Sequence, residues 1–155
     1  MSVDQKDNIN KKIMELQIGK TELQKRFNDI SIAMVNHLAL KFPASHFGVY
    51  KNTIKVFIEE RPAEPISMFI KYIYANDTYR KKIKSGDDSF FMTQTYDEVV
   101  DKSMTTKIFE FKELWRSFDD NNKRLAKQTM SALIDRAELY LNILSDINFH
   151  KKLLK

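Results

Sequence analysis

Apolar residues in this chain recur at helical rather than alternating intervals. The densest pattern runs from Lys107 to Leu144. Ile108, Phe111, Leu114, Trp115 and Phe118 share one helical face. Asp119 and Asp120 then supply turn residues and a candidate N-cap. Beyond them Ala126, Met130, Leu133, Ala137, Tyr140 and Leu144 repeat in steps of four and three. Two apolar helices joined by so short a turn are expected to pack antiparallel as an αα-hairpin. A second long pattern predicts one helix over 5–41. Its seam of Ile9, Ile13, Leu16, Lys20, Leu23, Phe27, Ile30 and Met34 also alternates steps of four and three. This is a heptad repeat, with polar Lys20 beside Gly19 marking an expected bend or register point. Such a helix either docks on its own domain or pairs with another copy, and Leu23, Phe27, Ile30 and Met34 are the candidate self-association residues.

Between the two long patterns the elements are short. Phe42-Pro43 ends the first helix, because the residue before a proline avoids the helical region. Residues 44–52 read as a loop around Gly48. Residues 53–58 fit both periods, as Ile54, Val56 and Ile58 alternate while Ile54, Phe57 and Ile58 form a helical turn capped by Asn52. A lone strand has no partner, so a short helix is expected. Pro65 suits a first helical position, followed by an apolar face of Ile66, Phe69, Ile70 and Ile73. Asp77 is a candidate cap for a helix over 78–84, and Gly86 its stop. Further turns are expected at 87–92 and 96–102, with Ser103 capping the hairpin and a basic tail, 148–155, that frays. The fold class is therefore all-α: a helical bundle with a long N-terminal helix over 1–44, a possible coiled-coil arm, and a compact helical domain over 45–155.

Composition agrees with this reading. The 155 residues are 43% hydrophobic, enough for one domain with a real core. Three glycines and three prolines are too few for the many turns of a β-sandwich. The absence of cysteine excludes disulfides, thiolate zinc sites and a cysteine nucleophile. The residues Met1-Ser2-Val3-Asp4-Gln5 do not begin a signal peptide, and no apolar run approaches the roughly 18 residues of a membrane span. An intracellular location, in cytoplasm or nucleus, is expected. The net charge of +5 invites an anionic partner, but the excess is spread over both ends of the chain.

The candidate chemistry is thin. His37, His46 and His150 lie too far apart in sequence for two to share a helix face as metal ligands. No phosphate-cradling glycine loop or nucleophile elbow occurs, and no cofactor or metal is expected. Asp87, Asp88 and Asp97 could serve a hydrolase only by converging in a pocket; they sit in loop-like polar sequence, where caps and solvated turns explain them. Arg80, Lys81, Lys82 and Lys84 form the densest basic run and could contact nucleic-acid phosphates, with Tyr79 stacking on a base. The competing reading is a short helix with Tyr79 and Ile83 inward and the cations outward. Phe90, Phe91, Phe109, Phe111, Trp115 and Phe118 read as core, although Phe109 lies off the face shared by Ile108 and Phe111.

Three stretches carry a resemblance: Tyr79-Arg80, Gly86-Asp87-Asp88-Ser89-Phe90-Phe91 and Phe111-Lys112-Glu113-Leu114-Trp115. Over about residues 60–140 the chain resembles small uncharacterised helical proteins of large double-stranded DNA viruses. Twenty lysines, fifteen isoleucines and ten asparagines also suit an A+T-rich genome. The resemblance implies a virion- or replication-associated helical protein and carries over no catalytic residue. The expectation is a non-enzymatic interaction or structural protein that binds a protein partner or itself, the alternative being a nucleic-acid binder.

Overall fold

The computed structural model describes residues 1–92 and 112–155. The expected helix over 96–102, the Ser103 cap, Asp97, Ile108, Phe109 and Phe111 lie outside the described residues. The protein is all-α, built on two long helices, α1 (Val3–Lys41) and the C-terminal α7 (Asp120–Leu153). They run antiparallel: Gly19 lies by Ile143, Gln24 by Tyr140, Met34 by Thr129 and His37 by Asn122. Shorter helices among the described residues lie between them: α2 (His46–Val49), α3 (Lys51–Glu60), α4 (Glu64–Phe69), α5 (Asp77–Ser85) and α6 (Ser89–Met92). The expected hairpin is described from residue 112 onward, as a helical turn over 112–116 leading into α7. Among the described residues the main partner of α7 is α1.

Both long helices start on side-chain caps. Ser2 and Gln5 form a reciprocal capping box on α1, and the Asp119 carboxylate accepts from Asn122 N–H at 2.8 Å on α7. Several local expectations are corrected. Residues 44–52 are not a loop: Ser45 caps α2, and a Cβ on Gly48 would stand 2.1 Å from the Pro43 carbonyl oxygen, so no larger residue fits. Helix α3 begins at Lys51 after Tyr50, leaving Asn52 inside its first turn rather than at the cap. Asn76, not Asp77, caps α5 by accepting from Tyr79 N–H at 3.1 Å; Asp77 is one residue further in. Pro65 follows Glu64 inside the first turn of α4 instead of opening it. The basic tail remains helical to Leu153, anchored by buried Ile147 and favoured by Lys151 and Lys152 at the negative end of the helix dipole. Gly86 does end α5, at φ 70°, where a side chain would be strained.

The core forms two clusters along the α1–α7 pair. One is aromatic: Phe91 stacks on Trp115 at 4.2 Å, Phe90 meets Tyr79 and Phe91 edge-on, and Phe118 joins through Trp115 and Phe42. Leu38, Ile83, Ala126 and Ile134 are also buried in it. The other gathers Phe27, Ile66, Leu133 and Tyr140, with Leu23, Ile30 and Leu144 packed alongside. Fully buried Ile66 and Ile134 each contribute about 1.5–3 kcal/mol by leaving water. Between the clusters α4 runs into a π-helical turn over Ile70–Tyr74. The extra residue per turn shifts the helix face. Ile70 thereby serves the second cluster, Ile73 and Tyr74 the first, and Phe69 both.

Candidate functional site

Among the described residues, an open apolar groove lies where α3 and α4 lean on the long-helix pair. Its volume is about 360 Å³. The floor is buried Phe27 from α1, Ile58 from α3 and Leu133 from α7, with half-buried Phe69 from α4. Ile54 and Pro65 form its sides. Phe57 and Met68 stand at the rim, 38% and 44% exposed. The spacing of Ile54, Phe57 and Ile58 explains why α3 turns all three to one side. Buried Asn28 fixes the opening by donating from Nδ2 to the Pro62 carbonyl at 2.9 Å, which ties α1 to the connector between α3 and α4. The one hydroxyl in the lining, on Ser31, donates to the Phe27 carbonyl. A surface so lined can bury hydrocarbon from a partner.

Glu59 and Glu60 close α3, on a side turned away from Ile54, Phe57 and Ile58, and Glu64 opens α4; all three are exposed, and among the described residues none forms an ion pair. Acids at a helix C-terminus face the negative end of the helix dipole, an unfavourable arrangement of about 0.3–1 kcal/mol that a nearby cation relieves. The last turn of α3 carries no basic residue, although Arg61 follows it.

The residues singled out from sequence are placed as follows. Phe27 is buried, and Leu23, Ile30 and Met34 are half-buried; all four pack within the chain's own core. The face expected to mediate self-association is thus occupied by α7 and its neighbours. In the basic run, Arg80 and Lys81 pair with Asp77 at 2.5 and 2.8 Å, and Arg80 also donates to the Tyr74 carbonyl. Lys84 pairs with Asp135. The hydrogen bond from Lys81, together with Arg80, holds the Asp77 carboxyl below the usual carboxylate range. Tyr79 is buried against Phe90 and cannot stack on a base. Asp87 accepts from Ser89 N–H, which lowers its pKa, while Asp88 pairs with Lys127. These two exposed carboxylates serve a turn and an ion pair, and Asp97 lies outside the described residues. His37 Nε2 meets Asn122 Oδ1 at 2.7 Å. Among the described residues no three acidic or histidine side chains gather as a metal site.

Sequence reasoning missed the groove. Phe57 was visible as one apolar member of an ambiguous segment, and Met68 lies off the expected face of Ile66, Phe69 and Ile70. Their convergence depends on the angle between two short helices, for which periodicity carries no signal. Among the described residues no helix is long and apolar enough to cross a membrane. No protein-family model, curated protein or solved structure matches the chain.

Proposed function

We propose that this is a non-enzymatic helical interaction protein that receives apolar side chains of a protein partner in the groove between α1, α3 and α4. The supporting observation is the pairing of a buried apolar floor with exposed Phe57 and Met68 at the rim. Removing what remains exposed of those two from water offers a partner about 0.6–1.3 kcal/mol each, the corresponding share of a full side-chain burial. An amphipathic helix suits the shape, because its i, i+3 and i+4 side chains form a short apolar ridge. The resemblance to viral helical proteins adds a virion-associated setting to this reading. The nucleic-acid alternative is less favoured, since Arg80, Lys81 and Lys84 are ion-paired and Tyr79 is buried.

The test uses a synthetic helical peptide with leucines on one face and lysines on the other. Titrated into the labelled protein, it should shift the NMR signals of Phe57 and Met68, and Met68→Glu should weaken binding about tenfold, a loss of roughly 1.4 kcal/mol. Unchanged signals at millimolar peptide would refute the docking reading.

A further inference from the structure

We infer that Arg26 on α1 and Arg136 on α7 form a binding site for a phosphate dianion on one edge of the long-helix pair. The Nε of Arg136 is buried and has no hydrogen-bond partner among the described residues, and there neither arginine forms an ion pair. A buried charged donor without an acceptor is a costly arrangement, and an anion that accepts from it relieves the cost. Register brings Arg26 to the same place. Observed contacts fix the pairing of the two helices on either side: Gly19 stands against Ile143, and Thr129 donates to Met34 Sδ at 3.7 Å. Seven residues make two helical turns to within about 20°. Arg26 follows Gly19 by seven residues and Arg136 precedes Ile143 by seven, so the two arginines stand level on the edge where Gly19 meets Ile143. Arg136 is half-buried and Arg26 is exposed, within reach of a solute.

The acids nearby leave the pair uncompensated. The residues three and four positions from Arg136 are Ala132, Leu133, Leu139 and Tyr140, none of them charged. Asp135, its neighbour in sequence, is engaged by Lys84. On α1, Glu22 and Asp29 sit one turn before and after Arg26, rotated about 40–60° further from α7, and neither pairs with it. The ligand's chemistry follows from two guanidinium groups, each a fixed charge with a planar fork of N–H donors. A carboxylate neutralises only one of them. Inorganic phosphate or a phosphate monoester carries a charge of about −1.5 to −2 near neutral pH and at least three acceptor oxygens. It can accept from Arg136 Nε and from Arg26 together. One ion held between α1 and α7 also ties the helices to each other, so binding stabilises the fold.

Titrating inorganic phosphate into the full chain tests this, with chloride at matched ionic strength as the control. The NMR signal of Arg136 Nε–H should move and saturate with phosphate but not with chloride, and Tm should rise with phosphate alone. Arg26→Gln and Arg136→Lys should each weaken binding about tenfold, the loss of a charge-assisted hydrogen bond. Arg136→Lys keeps the charge and loses the fork, which separates a built site from general attraction to a basic chain. Arg26 is exposed, so its replacement leaves the core intact. Phosphoserine distinguishes the two sources of the group: tighter binding than inorganic phosphate assigns the site to a phosphorylated side chain, and equal or weaker binding assigns it to the free ion. A phosphate response no larger than that of chloride, or one that either variant retains in full, overturns the inference.

Discussion

At the scale of single residues, polar side chains do most to fix local geometry. Asn76 and Asp77 show how fine the distinction is. Both can cap a helix, yet Asn76 takes the cap and Asp77, one position on, gathers Arg80 and Lys81. The carboxyl of Asp77 titrates below its ordinary range, chiefly because Lys81 donates to the charged form. A depressed folded-state pKa contributes stability that is present above the unfolded value and lost as pH falls through the folded one. Asp77→Asn should therefore flatten the acid limb of the stability curve and leave neutral-pH chemical shifts of the core unchanged. The effect is small because the pair is exposed. Urea melts at a series of acidic pH values would show it, and an unaltered acid limb in the variant would contradict it. Within the densest basic run, Arg80, Lys81 and Lys84 are thus held in ion pairs of the chain's own carboxylates.

Among the elements, α1 carries a helix-weakening glycine in its interior. Gly19 beside Lys20 reads as a bend or a register point, and the helix is continuous from Val3 to Lys41. The α7 side chains are the reason: Gly19 faces Ile143, and packing against a second helix outweighs the propensity cost of one glycine. A Cβ at this position would meet Ile143 Cδ1 at 3.4 Å, an ordinary contact. Gly19→Ala should then stabilise the protein by about 0.5–1 kcal/mol, raising Tm by roughly 1–4 °C. A lower Tm would mean that Ile143 cannot accommodate the methyl group. The tail of α7 behaves similarly. Its basic, polar composition suggests fraying, but Ile147 is buried and the lysines complement the helix end. Helical order then presents Phe149 and Leu153 as one ridge.

For the whole molecule, the division into an N-terminal arm and a compact remainder meets the fact that α1 carries core residues. Phe27 belongs to one cluster and Leu38 to the other. Deleting residues 1–44 removes both, and each large-to-small loss in a core costs about 2–5 kcal/mol, comparable with the total stability of a domain. The fragment 45–155 should lack a cooperative thermal transition and should aggregate. A sharp, reversible melt of that fragment would show instead that the short helices and α7 form a sufficient core.

The helices themselves were legible in the chain because amphipathic periodicity is a local property. A run of Leu23, Phe27, Ile30 and Met34 can bury one side whatever it packs against, and Asp119 can cap α7 before any tertiary contact forms. Ser2, Ser45 and Asn76 also carry cap chemistry that their own neighbourhoods contain, although Ser45 is harder to read because the four-residue helix it starts has almost no period. Which partner each face meets is not a local property. The heptad seam of α1 fits another copy as well as it fits α7, and the choice follows from the chain returning antiparallel alongside it. The groove is further removed still: Phe57 and Met68 converge across the connector between α3 and α4, which Asn28 ties to α1 by donating to the Pro62 carbonyl. Periodicity along one helix sets which side is apolar, whereas the concavity between helices is set by their crossing and their connectors, and that geometry arises only when distant segments pack.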